Sequence, residues 1–196
     1  MTVFILAGGR STRMGVDKAF VTLGGRTLLA RALEVARGVT HDVRVVGEAA
    51  KFREFAPAVE DVFRGCGPLA GIHAALCASA AEWNLMLAVD LPFVTSELLQ
   101  YLLTRARSSA AMVTVARAAG GWQPLCAVYR REFAEVAEKA LREGRYKIDA
   151  LFDGTRTLVI GEDELRAGGF SAEMFRNLNT PEELAEACGQ TDTLRL

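Results

Sequence analysis

An unbroken apolar run, Val3-Phe4-Ile5-Leu6, leads straight into Ala7-Gly8-Gly9-Arg10-Ser11-Thr12-Arg13-Met14-Gly15-Val16-Asp17-Lys18. The run is continuous rather than alternating, so it reads as a parallel strand covered on both faces. The glycine-rich stretch after it cannot extend that strand. Gly8, Gly9 and Gly15 permit positive φ and let a ligand approach bare backbone. Successive N–H groups in such a loop form an anion-binding concavity. Arg10, Arg13 and Lys18 add positive charge beside it. Glycines and cations together at the end of a first strand point to a polyphosphate ligand. The plainer alternative is a structural turn with solvated basic residues. The glycine spacing is neither that of a Walker A loop nor G-x-G-x-x-G.

The rest of the chain alternates strands and helices. Ala19–Leu23 reads as a short extended piece ended by Gly24-Gly25. Thr27 caps a helix to about Arg37 that Gly38 stops. Val43–Val46 is a second strand, a short helix passes through Phe52 and Phe55, and Ala58–Glu60 is a brief third strand. An alanine-rich helix runs to about Ala81, and Leu85–Val89 is a buried strand. Thr95 caps a helix to about Arg107, and Ala111–Val115 is another strand. A turn at Gly120-Gly121 leads to Leu125–Tyr129, a hairpin-like antiparallel excursion. An amphipathic helix spans Arg131 to about Arg142, and Thr157–Ile160 is a late strand. These elements predict an α/β fold: a Rossmann-like, doubly wound, mostly parallel sheet. One domain over 1–196 is expected. Ligands in such folds collect at the carboxyl ends of strands.

Chemistry-bearing residues fall at those ends. Asp61 comes after the third strand, as a ligand contact or as a turn or cap aspartate. Gly67-Pro68-Leu69-Ala70-Gly71 opens a helix, either to present N–H groups to a ligand or to allow close helix–sheet packing. Asp90 ends an apolar strand, where an ionised carboxylate is costly unless exposed or paired. A Mg²⁺ ion would satisfy it, since this ion takes one or two carboxylates and fills its shell with water and phosphate oxygens. A capping role is the alternative. Gly144-Arg145-Tyr146-Lys147 is a basic loop, solvated or facing an anion. In Asn177-Leu178-Asn179-Thr180-Pro181-Glu182-Glu183-Leu184, Thr180, Pro181 and Glu183 form a capping box around a proline at the first helical position. That motif leaves Asn177 and Asn179 unexplained.

The pattern L-A-G-G-x-x-x-R-M-G-x-D-K over 6–18 resembles the molybdenum cofactor guanylyltransferases. So do G-P-L-A-G at 67–71, D-x-P at 90–92, Q-P-L-x-x-x-Y at 123–129 and N-x-N-T-P-E-E-L at 177–184. The resemblance implies transfer of GMP from GTP to molybdenum-bound molybdopterin, with release of pyrophosphate. It implies nucleotide contacts from Leu6, Ala7, Gly8, Gly9, Lys18, Asp61 and Asp90, and catalytic roles for Lys18, Arg13 and Asp90. It implies Mg²⁺ on Asp90 and substrate-side roles for Gly67, Gly71, Asn177 and Asn179. The N-terminal half is then nucleotide-binding and the C-terminal half faces the pterin. Glycine at position 8 sides with guanylyl rather than cytidylyl relatives, which read L-A-A-G. A cytidylyltransferase, or a transferase acting on another small phosphate, is the alternative. The chain departs from the family at Val46-Gly47-Glu48, where many members carry an asparagine.

Composition narrows the remaining possibilities. The net charge of −1 gives no reason to expect nucleic acid. Cys66, Cys77, Cys126 and Cys188 form no C-x-x-C pair, so neither a disulfide framework nor a zinc knot is expected. With two histidines, His41 and His73, a histidine triad or multi-histidine metal site is poorly supported. No apolar stretch is long enough to span a membrane. The apolar N-terminal run is too short for a signal sequence, so a cytoplasmic location is expected. A monomer is expected, with molybdenum cofactor insertion or carrier proteins as candidate partners.

Overall fold

The structure, a computed structural model, describes residues 1–8, 17–152, 156–180 and 182–187. Strand β1 (Thr2–Leu6) is followed by a 3-10 turn, Lys18–Phe20, and a small hairpin of β2 (Thr22–Leu23) and β3 (Arg26–Thr27). Then come α1 (Leu28–Arg37), β4 (Val43–Val46), α2 (Ala49–Phe52), β5 (Ala58–Val59), α3 (Pro68–Ala78) and β6 (Trp83–Ala88). The second half holds α4 (Ser96–Arg107), β7 (Val113–Ala118), β8 (Gly121–Arg130), α5 (Phe133–Arg142), β9 (Thr157–Gly161) and α6 (Glu162–Ala167).

Seven strands form one sheet in the order β5-β4-β1-β6-β8-β7-β9. All run parallel except β8, which pairs antiparallel with both β6 and β7. The expected excursion is therefore inserted into the sheet rather than appended to it. Helices cover both faces. Val3 and Ile5 of β1 face the core shared with α1 and α4, while Phe4 faces the core shared with α3 and α5. Two apolar faces on one strand explain why its sequence does not alternate.

Caps set several boundaries. The Thr27 hydroxyl accepts from Ala30 N at 3.1 Å and Thr95 from Leu98 N at 3.4 Å, fixing the starts of α1 and α4. Gly38 ends α1 in right-handed conformation, at φ −67°. Glycine is needed there because a Cβ would collide with the Ser96 side chain at the start of α4. Two expectations need correction. Of the extended piece expected over Ala19–Leu23, Thr22–Leu23 is extended as β2, but Ala19 and Phe20 lie in the 3-10 turn Lys18–Phe20, because the Asp17 carboxylate accepts from Ala19 N at 3.2 Å and caps it. Helix α3 stops at Ala78, where Ser79 turns extended. Helix α6 is an element that the sequence pattern does not announce.

The order places β1 between β4 and β6, with the chain leaving β1 first toward β4 and later crossing back to β6. The carboxyl ends of these three strands thus open onto the topological switch of the sheet.

Candidate active site

Leu6, Ala7 and Gly8 from the end of β1, Val46 from β4 and Ala88, Val89 and Asp90 from β6 line one cleft. Asp17, Lys18, Asp61, Gly67, Pro68, Gly71 and Leu125 complete its described walls, around ≈ 220 Å³. A second cavity of ≈ 830 Å³ shares Ala7, Gly8, Asp17, Asp61, Gly67 and Pro68 with it and extends past Glu48, Lys51 and Phe52. The two together are large enough for a nucleoside triphosphate.

The backbone holds the strand ends in place. Ala7 N and Gly8 N both donate to Val46 O at 3.0 Å, and Val89 N donates to Leu6 O at 3.1 Å. An added Cβ on Gly8 would lie 3.6 Å from Val46 O, so the fold has room for a methyl there. The glycine leaves space on the cleft side. Gly67 sits at φ +72° and presents α3 to the cleft. No side chain caps that helix and its first turn holds no acidic residue. Its positive end is therefore open toward an anion.

Lys18 is the meeting point. Its Nζ donates to Asp90 Oδ2 at 3.0 Å and to Asn179 Oδ1 at 2.6 Å. These partners come from 72 and 161 residues away. The C-terminal segment is clamped for this contact. Leu178 N donates to Asp90 O at 3.1 Å. Glu183 Oε2 accepts from Asn179 N at 2.6 Å and from Thr180 N at 3.1 Å, and Thr180 Oγ1 accepts from Glu183 N at 3.2 Å. That is the capping box expected from the sequence, here also aiming Asn179 at Lys18.

Asp61 is a further carboxylate in the cleft, beside Asp90 and the capping Asp17. Its Oδ1 is buried and has no hydrogen-bond partner. Burial raises its pKa above the usual aspartate range. An orphaned buried carboxylate oxygen in a ligand cleft is a group waiting for a donor or a cation. Asp90 Oδ1 also has no hydrogen-bond partner among the described residues, since Lys18 takes only Oδ2. The available donors are hard carboxylate oxygens, the chemistry Mg²⁺ prefers over the nitrogen and sulfur donors that zinc favours. Among the described residues, no three His, Cys, Asp or Glu side chains cluster to cage a metal unaided. Mg²⁺ carried by a phosphate ligand fits such a donor set.

Leu6, Ala7, Gly8, Lys18, Asp61, Gly67, Gly71 and Asp90 are thus brought into one cleft, and Asn179 joins through Lys18. Asn177 is exposed and stands apart from that contact. Gly9 and Arg13 lie outside the described residues, as do Pro181 and Cys188. Among the described residues Cys66, Cys77 and Cys126 are free thiols, and burial pushes the Cys126 thiol up to about 12. His73 is buried in α3 and His41 is exposed; neither lines the cleft. Sequence reasoning missed Asp17, Glu48, Lys51 and Leu125 as lining residues. Asp17 carried a signal in its place next to Lys18.

A mixed α/β sheet with a glycine-lined switch cleft, a lysine and three aspartates defines a nucleotidyltransferase. The MobA-like NTP transferase domain family matches residues 3–158. The chain is 37% identical over 188 residues to the probable molybdenum cofactor guanylyltransferase of Pelotomaculum thermopropionicum, covering 95% of this chain and 91% of that one. It is 35% identical over 190 residues to the molybdenum cofactor guanylyltransferase of Desulfosudis oleivorans, covering 95% and 94%. The crystal structure of molybdopterin-guanine dinucleotide biosynthesis protein A from Archaeoglobus fulgidus superposes with a TM-score of 0.86 at 28% identity, over 98% of this chain and all of that one. The chain belongs to the molybdenum cofactor guanylyltransferases of the MobA-like nucleotidyltransferase family.

Proposed function

We propose that this nucleotidyltransferase moves GMP from GTP onto the terminal phosphate of molybdenum-bound molybdopterin, releasing pyrophosphate. The observation that supports this most is the convergence of Lys18, Asp90 and Asn179 at the switch cleft. In the reaction an acceptor phosphate oxygen attacks the α-phosphorus of GTP. A new P–O bond forms, the bond to the β-phosphate oxygen breaks, and pyrophosphate leaves with the electron pair. The attacking oxygen is already ionised near neutral pH, because a phosphomonoester loses its second proton near pH ~6. No general base is required, in keeping with a cleft whose described walls hold no histidine.

The work left to the protein is positioning two anions in line and spreading their charge. The open start of α3 would accommodate phosphates, and Gly8, whose N–H is taken by Val46 O, would let them approach bare backbone. Lys18 supplies mobile positive charge to the α-phosphate and the departing pyrophosphate. Asn179 and Asp90 hold its ammonium in the cleft until substrate arrives. Asp90 would hold Mg²⁺, and Asp61 would meet the nucleotide. When bound, that ion polarises phosphate oxygens and offsets their charge. Arg13 would add a second cation. Gly67, Gly71, Asn177 and Asn179 would face the acceptor, so that the C-terminal half serves the pterin.

Action as a monomer is part of the same proposal. Transfer onward to carrier or insertion proteins in the cytoplasm is proposed from the chemistry of the product. The test is pyrophosphate release with molybdopterin against GTP, CTP, ATP and UTP in Mg²⁺. Release is expected with GTP. Equal release with CTP, or none with molybdopterin present, would overturn the reading.

A further inference from the structure

We infer that Glu48 and Lys51, an ion pair at the start of α2, read the Watson–Crick edge of the nucleotide's base and select guanine. Lys51 Nζ lies 2.7 Å from Glu48 Oε2, and both side chains line the larger of the two cavities. This inference rests on the proposed nucleotidyl transfer and adds to it the residues that discriminate between bases.

Three observations carry it. The first is placement. In the sheet, β4 and β6 flank β1 on opposite sides. The end of β6 carries Asp90, and the end of β4 leads to Gly47 and Glu48. The two sites are separated by two strand spacings, about 10 Å. A nucleotide with its phosphates at Lys18 and Asp90 therefore crosses Gly8 and delivers its base to the end of β4. The second is the bare backbone at this strand end. Gly47 has no side chain, and a Cβ there would come within 2.6 Å of the Phe52 ring. Side-chain contacts here come from its neighbours, and among the described residues Glu48 and Lys51 follow it directly into the larger cavity.

The third is chemical complementarity. Guanine presents, in sequence along one edge, the acceptor O6 and the donors N1–H and N2–H₂. An ammonium beside a carboxylate offers a donor followed by an acceptor of two hydrogens. Adenine and cytosine place an amino group where guanine has O6, opposite the ammonium, and a ring-nitrogen acceptor opposite the carboxylate. Lys51 is held for this role from a second side, since its Nζ donates to Asp17 Oδ2 at 3.3 Å. Ala49 N donates to Glu60 Oε1 at 2.9 Å, which pins the backbone just after Glu48.

The experiment is equilibrium binding of GTP, ITP and ATP in Mg²⁺ to the full chain, by calorimetry, for wild type, Glu48→Gln and Lys51→Met. ITP lacks only the N2 amino group. Wild type is expected to bind GTP more tightly than ITP and ITP more tightly than ATP. Glu48→Gln should lower the GTP-to-ITP preference about tenfold, from the loss of a paired contact. Lys51→Met should leave that ratio in place and lower the ITP-to-ATP preference about tenfold. Unchanged ratios in both variants, or an equal weakening of all three nucleotides, would overturn this inference while leaving the transferase reading intact. A wild type without preference for GTP over ATP would remove the guanine assignment and this inference together.

Discussion

Replacing Lys18 with methionine separates chemistry from stability. The side chains of Lys18 and Asp90 keep 22% and 21% of their surface exposed at the mouth of the cleft, and their atoms lie 3.0 Å apart. An ion pair this accessible to solvent contributes up to about 1 kcal/mol. The hydrogen bond to Asn179 adds about 1 kcal/mol. Methionine keeps the apolar stem, so the total loss is at most about 2 kcal/mol. A chain of this size then melts a few degrees lower. With a typical stability of about 5–15 kcal/mol, the variant stays almost wholly folded at 25 °C. The loss in catalysis is of a different order. Removing one preorganised donor to developing charge lowers kcat by about 10²–10³. Pyrophosphate release measured over a range of GTP concentrations should show kcat falling by that factor and KM changing far less. A variant with near-normal kcat and a tenfold higher KM would show that Lys18 only binds ground-state GTP. A large drop in melting temperature with parallel loss of activity would show that its role is structural.

The cleft supports three further expectations. Asp61 has its pKa raised by burial, so its folded value lies above its unfolded value near 3.8; its contribution to stability is present below that value and is lost as pH rises through the folded pKa. Asp61→Asn should therefore raise the melting temperature of the ligand-free protein at pH 7, with the gain vanishing in acid, while weakening GTP binding; a gain independent of pH would contradict this. Gly8→Ala should melt like wild type, since its Cβ makes only ordinary contacts at 3.6 Å or more, yet turn over GTP at least tenfold more slowly, a loss checked by pyrophosphate release. Glu183→Ala removes the acceptor for Asn179 N and Thr180 N; thermal melts should show about 1 kcal/mol of lost capping and assays a lower kcat, because Asn179 is no longer aimed at Lys18.

Local chemistry was legible wherever a few neighbouring residues decide the outcome. The apolar run before Ala7, the hydroxyls of Thr27 and Thr95, the capping box at Thr180 and Glu183, and the turn at Gly120 each produced the element expected of them. Helix α6 was not legible because its six residues, mostly charged, show no helical period. The insertion of β8 between β6 and β7 was not legible either. A hairpin turn fixes one partner strand, and the second is chosen by long-range packing. The same limit governs the site. Asp90 stood out because a carboxylate ending an apolar strand needs a reason. Nothing local in the sequence joins Lys18 to Asn179; only the family resemblance pointed there, and it left the contact between them unspecified. Lys51 reads as one more solvated cation until the fold sets it across from Asp17.

The most direct test of the account is the rate of pyrophosphate release from GTP and molybdopterin by Asp90→Asn across a Mg²⁺ titration. A fall of at least about 10²-fold, with the melting temperature within a few degrees of wild type, is the result expected. Turnover at the wild-type rate with an unchanged Mg²⁺ dependence would contradict the claim that this carboxylate and Lys18 form the catalytic centre.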